Sequence, residues 1–293
     1  MPRIDDIFDR LQGSKYFSEI DLNSAFWLLK ILEQDIEKTA FSTPDGHYEF
    51  TRLPFGVTNG TRAFQRLMYN IYGHNSFIEI YLDNLIVHSK DCESHLNYLK
   101  LIFTKARETN LKLNLRKCKF FQTKIKLLGH IISEDKIMID PSKIEKIQSW
   151  PIPRTTKHVQ QFLGLANYYH HFIQNFAEIA TPLYQLTLKN QTFKWSEDTN
   201  EAFEQLKFKL CSYPILRPPN LLLPFTIYTD ASALSAGAIL SQTDDTGEYV
   251  VSYNSKKFKN AELHYSVTEN ECLAVLWPIK HYRIYLDGVL FTI

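Results

Sequence analysis

The chain has 293 residues, of which 44% are hydrophobic and 22% charged, and a formal net charge of +1. That length supports two or three domains with their own cores, and that balance excludes a disordered chain. No apolar run reaches membrane-spanning length and no secretory pattern opens the chain, so an intracellular protein without a membrane partner is expected. Cys92, Cys118, Cys211 and Cys272 are widely spaced with no Cys-x-x-Cys pair, and they read as reduced intracellular thiols rather than a disulfide frame or zinc site.

The spacing of Ile4, Ile7, Phe8 and Leu11 predicts a short amphipathic helix over 2–12, stopped by Gly13. Residues 17–22 alternate as a strand, which puts Asp21 on the face opposite Ile20 and Leu22. Thr43-Pro44-Asp45-Gly46 is a turn between strands expected around 38–41 and 48–52: proline presets φ and glycine accepts positive φ. A helix follows over 58–72, with Gly73 placed to end it.

Phe77-Ile78-Glu79-Ile80-Tyr81-Leu82-Asp83-Asn84-Leu85-Ile86-Val87 has two β-type apolar runs around a polar pair. It reads as a hairpin with Asp83 and Asn84 at its tip, where a carboxylate can hold a divalent cation. The next helix is expected over 91–109, with Leu96, Leu99, Ile102, Phe103 and Ala106 as its core face. Residues 104–130 carry eight Lys or Arg against Glu108 as the lone acid, which makes either a solvated face or a phosphate-binding one.

Residues 141–211 read as helical, broken at Trp150-Pro151-Ile152-Pro153 and resuming as an aromatic helix over 159–172. In that helix Tyr168, Tyr169 and Phe172 suit packing better than base stacking, and His170 and His171 lack cysteines at zinc spacing. Arg217-Pro218-Pro219-Asn220 reads as a linker. Strands are expected over 225–230, 236–242 and 249–258, then a helix over 266–286 opened by a Ser266/Glu269 capping box and kinked at Pro278.

Several of these blocks arrive in the order found in one family. Phe17-Ser18-Glu19-Ile20-Asp21-Leu22 precedes Lys38-Thr39-Ala40-Phe41, Leu53-Pro54-Phe55-Gly56 and Phe64-Gln65-Arg66. The Tyr81-Leu82-Asp83-Asn84 turn leads to Leu128-Gly129-His130 and Phe162-Leu163-Gly164-Leu165-Ala166-Asn167-Tyr168-Tyr169. Tyr228-Thr229-Asp230-Ala231-Ser232 and Thr268-Glu269-Asn270-Glu271-Cys272-Leu273-Ala274 close the series. Any one block is weak evidence, but the ordered series is specific. It resembles the reverse transcriptase and ribonuclease H region of the Pol polyprotein of gypsy-like long-terminal-repeat retrotransposons.

The resemblance implies an α+β fold. A polymerase palm with partial fingers, an antiparallel sheet with helices on one face, would span 1–140. A helical thumb or connection would span 141–220, and an incomplete ribonuclease H-like α/β domain 221–293. The implied activity is that of an RNA-directed DNA polymerase, a nucleotidyltransferase that extends a primer on an RNA or DNA template with deoxynucleoside triphosphates. Mg2+, or Mn2+ in its place, would be held by Asp21 and Asp83 beside Asn84, and in the second domain by Asp230 and Glu271. Phe26, by spacing a core phenylalanine, becomes by resemblance the aromatic gate beneath the incoming sugar. Gln65, by spacing an exposed helix residue, would line the nucleotide and template pocket. Leu128-Gly129-His130 resembles the primer grip.

Three departures set the expected activity against an alternative. Asn84 stands where the family has a second aspartate. The family's earlier fingers strands, whose basic residues grip the triphosphate, have no counterpart before the short first helix, and Lys38 is no evident substitute. The later ribonuclease H carboxylates have none after Ile293. The alternative is a catalytically inactive retroelement fragment that at most binds nucleic acid.

Overall fold

The computed structural model describes all residues except 1–3, 24, 83, 190, 213 and 260, and for residues 5 and 25 it describes the backbone alone. The chain falls into two units, Met1–Ile125 and Lys126–Ile293. In the first, α1 (Ile4–Arg10) ends before Gly13, whose φ of +65° suits a residue without a Cβ. Alternation then gives β1 (Tyr16–Asp21), followed by a 3-10 turn, Ala25–Leu28, and the short α2 (Glu33–Ile36).

The first expected hairpin forms, but its strands are β2 (Phe41–Thr43) and β3 (Gly46–Tyr48) around Pro44 and Asp45. Residues 37–39, expected to begin a strand, instead make a 3-10 turn in which the Thr39 hydroxyl bonds the Ile36 carbonyl. After α3 (Gly60–Tyr72), β4 (Ile78–Tyr81) and β5 (Asn84–Ser89) precede α4 (Cys92–Glu108) and β6 (Lys119–Gln122).

The sheet order is β4-β5-β1-β6, and β1 pairs antiparallel with β5 from Tyr16↔Ser89 to Asp21↔Asn84. Two long helices cover one face of this sheet. Phe64, Met68 and Tyr72 of α3, at i, i+4 and i+8, share one buried cluster with Leu99, Ile102 and Ala106 of α4 and with Ile20, Ile80 and Leu85 of the strands. Each Leu, Ile, Phe or Met among them contributes roughly 1.5–3 kcal/mol by burial. Leu96 and Phe103, expected in that core, are instead partly exposed at the flanks of the α4 stripe, where His95 is buried in their stead. The opposite face carries Glu79, which is buried and clamped by Nε and Nη2 of Arg10, at 2.7 and 2.8 Å. Thus α1 is tied to the side of the sheet away from α3 and α4.

The second unit begins within β7 (Lys124–Leu127). With β8 (His130–Ser133), β9 (Ile137–Ile139) and β10 (Ile215–Leu216) it forms a sheet ordered β10-β9-β8-β7. Five helices lie between β9 and β10: α5 (Pro141–Gln148), α6 (Thr156–Tyr168), α7 (Phe176–Ile179), α8 (Thr181–Gln185) and α9 (Glu197–Cys211). Asp140, Thr155 and Ser196 cap α5, α6 and α9 through their side-chain oxygens, each cap contributing about 1 kcal/mol. The aromatic helix is shorter than expected, because α6 ends at Tyr168 and His170–Phe172 is a separate 3-10 turn.

The last sheet contains β11 (Phe225–Ala231), β12 (Ser235–Asp244), β13 (Gly247–Lys257) and β14 (Phe291–Thr292), ordered β13-β12-β11-β14, with β14 parallel to β11. The capping box forms as read: Glu269 accepts from the Ser266 N–H at 2.7 Å while Ser266 Oγ accepts from the Glu269 N–H. It opens α10 (Val267–His281), which runs on past Pro278 before α11 (Arg283–Leu286). Among the described residues, no helix is long and apolar enough to cross a membrane.

Candidate functional site

Antiparallel pairing fixes the geometry of the first site. Asp21 closes β1 and stands directly opposite Asn84, the first residue of β5, so their side chains emerge on one face from Cα atoms about 5 Å apart. Tyr81↔Asn84 closes β4 onto β5. Asn84, expected at the tip of the hairpin, is instead a strand residue paired with Tyr81. Asp83 itself lies outside the described residues. Asp21 is half-buried, and its carbonyl is fixed by the Asn114 N–H at 2.9 Å.

Leu82 has φ +57°, a left-handed conformation that a side chain with a Cβ disfavours by roughly 1–2 kcal/mol. The turn is held from outside. Gln65 of α3 donates from Nε2 to the Ile80 carbonyl and accepts on Oε1 from the Leu82 N–H, both at 2.9 Å. Because β4 is an edge strand, these backbone groups would otherwise lack a sheet partner. Gln65, expected at the nucleotide pocket, thus has both polar ends committed to the hairpin backbone.

Phe26 sits in the 3-10 turn that follows β1 and packs against the palm core. Its ring lies between buried Phe64, at 5.3 Å, and exposed Phe55, at 5.4 Å. Both readings of Phe26 meet here, since one flank joins the core and the other approaches an open cleft of ≈ 520 Å³ whose lining includes Phe55, Trp27, Lys38 and Phe50. Lys38 is exposed and already paired with Asp35 at 2.5 Å.

In the second unit Asp230 is exposed on β11 opposite Gly237 of β12, where an added Cβ would meet Asn175 Oδ1 at 2.5 Å. Ala231, Ala236 and Ala274 belong to one small apolar cluster, which seats α10 against this end of the sheet. Glu271 is exposed on α10 one turn before Ala274, whereas strand alternation turns Asp230 to the face opposite Ala231. Glu269 is spent on the helix cap, which holds its carboxyl below the usual range through hydrogen bonds from Ser266.

The donors in the first unit, a carboxylate and an amide oxygen on paired strands, suit a hard divalent cation. In the second unit Asp230 and Glu271 are both exposed carboxylates, one on β11 and the other on α10. Among the described residues no three His, Cys, Asp or Glu side chains gather as a metal cluster.

An antiparallel sheet backed by two helices, with oxygen donors at the ends of paired strands, is a palm-like architecture. The chain belongs to the reverse transcriptase family. Residues 1–132 match reverse transcriptase (RNA-dependent DNA polymerase), and residues 195–293 match the RNase H-like domain found in reverse transcriptase. The retrovirus-related Pol polyprotein from transposon 297 of Drosophila melanogaster is 41% identical across the whole chain, which spans 28% of that protein. The transposon Tf2-7 polyprotein of Schizosaccharomyces pombe is 35% identical over 99% of the chain and 22% of its own length. The chain thus spans about a quarter of these relatives. Among solved structures, the foamy viral protease-reverse transcriptase dRH in complex with double-stranded DNA superposes with a TM-score of 0.87 at 25% identity, covering all of this chain and 52% of that one. The foamy viral protein in complex with RNA/DNA hybrid gives 0.82, covering 99% and 39%.

Proposed function

We propose that this chain is the polymerase portion of a retrotransposon Pol protein and extends a primer on an RNA template with deoxynucleoside triphosphates. The observation that carries this reading is the Asp21↔Asn84 pairing beside the left-handed Leu82. Asp21, Asp83 and Asn84 would hold Mg2+ or Mn2+. When bound, the cations offset charge on the attacking 3′-oxygen and on the departing pyrophosphate. Phe26, backed by Phe64, would stack beneath the sugar and exclude a 2′-hydroxyl. Gln65 keeps the turn in shape and so acts through Asp83 rather than on the nucleotide. Asp230 and Glu271 would form the acidic part of a ribonuclease H-like site.

Asn84 supports a second reading, a chain that binds primer–template without extending it. An amide oxygen still ligates Mg2+, but it brings no negative charge to a site that must hold two dications. Primer extension by the purified chain on an RNA template, in Mg2+ and in Mn2+, decides between them. The polymerase reading expects synthesis that is abolished in Asp21→Ala and raised in Asn84→Asp. Folded protein that binds duplex yet stays silent even as Asn84→Asp would establish the binding-only reading.

A further inference from the structure

The turn joining β7 to β8 takes two consecutive residues through the left-handed region, Leu128 at φ +50° and Gly129 at φ +76°. Glycine accepts this freely and leucine does not; His130 Nδ1, 3.0 Å from the Leu128 carbonyl, supports the turn locally but does not hold it from another element. The end of α6 does. Tyr168 Oη donates to the Leu128 carbonyl at 2.7 Å, and Tyr169 Oη donates to the Gly129 carbonyl at 3.2 Å. Residues adjacent on a helix point about 100° apart. Both hydroxyls reach the same turn because Tyr168 is the last helical residue and Tyr169, at φ −105° and ψ 19°, has left the helix. The His130 ring fills the space beneath, 5.6 Å from Tyr168, 5.2 Å from Tyr169 and 5.7 Å from Phe172.

The fit is close. A Cβ on Gly129 would lie 2.6 Å from Tyr169 Oη. Lys143 passes 3.6 Å from that same point, and Lys126 on β7 is exposed while paired with Asp140 at 3.1 Å. A partly exposed turn with the Lys143 side chain alongside it is suited to a phosphodiester.

We propose that the Tyr168 and Tyr169 hydroxyls are positioning groups that hold the Leu128-Gly129 turn in the shape that receives the primer-strand backbone. This rests on the polymerase reading. Tyr168→Phe and Tyr169→Phe keep the rings against His130 and remove only the bonds. Three measurements apply to the full chain and each variant: thermal melting, affinity for a fluorescent primer–template duplex by anisotropy, and hydroxyl-radical footprinting of the primer strand. Each variant should weaken binding about three- to tenfold, as loss of one hydrogen bond predicts, with melting nearly unchanged. Protection should fade over the terminal primer nucleotides and persist upstream. Gly129→Ala should weaken binding more in the native background than in Tyr169→Phe, where the opposing oxygen is gone.

Unchanged affinity and footprint in the folded variants would overturn the inference, as would protection lost evenly along the duplex. A native chain that shows no salt-dependent duplex binding would sink the polymerase reading itself, and this inference with it.

Discussion

Gln65 separates two roles that the sequence alone could not. A glutamine that touches nucleotide would leave an amide group facing the pocket, whereas here Nε2 and Oε1 are both spent on Ile80 and Leu82. Gln65→Ala removes two neutral hydrogen bonds and leaves Leu82 at φ +57° without its anchor. The expected loss is about 1–3 kcal/mol of stability. In primer extension kcat should fall by at least tenfold while the nucleotide KM stays level, because the turn carrying Asp83 loses its position. Melting and steady-state kinetics on the same preparation test this. A rise in KM at constant kcat would return Gln65 to the nucleotide pocket.

At the scale of elements, a histidine seam joins β1, β5 and α4. His95 is enclosed, with one ring nitrogen on Ser18 Oγ at 2.7 Å and the other on Ser89 Oγ at 2.9 Å. His88 meets Ser14 Oγ at 2.8 Å. Burial lowers the His88 pKa to about 4, with the charges of His95 and Arg10 adding to the effect and the Ser76 backbone opposing it. His95 is lowered by burial as well. A histidine whose pKa is lower folded than unfolded binds fewer protons in the native state. Its stabilising contribution is present above the unfolded value of about 6.5 and is lost as pH falls toward 4. For His88 the full difference is about 3 kcal/mol. The urea midpoint should therefore drop between pH 7 and pH 5, and His88→Gln should flatten that slope. A native midpoint insensitive to pH in this window would refute it.

This seam also marks what sequence reading reaches. Two-residue alternation in β1 and the 3.6-residue recurrence in α3 were legible because each strand or helix face is written into neighbouring positions. The same rule misassigned Leu96 and Phe103, since a periodic stripe does not say how wide the covered face is. Asp21 and Asn84 could be named from motif order, yet their pairing depends on a register between distant strands. Gln65, 17 residues from the amide it anchors, and Tyr168, 40 residues from Leu128, act through hydrogen bonds that leave no periodic trace.

For the whole molecule, a net charge of +1 supplies no general attraction for nucleic acid, so affinity must come from where the cations stand. Of the eight basic residues in 104–130, three are already paired: Lys105 with Glu108, Lys119 with Glu19 and Lys126 with Asp140. Arg107, Lys112, Arg116, Lys117 and Lys124 form no ion pair among the described residues, and they are available to phosphates. Each phosphate neutralised on a duplex contributes roughly −0.9 to the slope of log K against log salt, so five contacts predict a slope of about −4.5. Arg116→Ala and Lys117→Ala should each flatten the slope by nearly one unit. Lys119→Ala should leave it unchanged, because the charge removed is one that Glu19 already offsets. Anisotropy titrations of primer–template across a salt series measure all three. Equal flattening by Lys119→Ala would mean that its pair with Glu19 opens in the complex, and that local charge pairing does not choose the contacts.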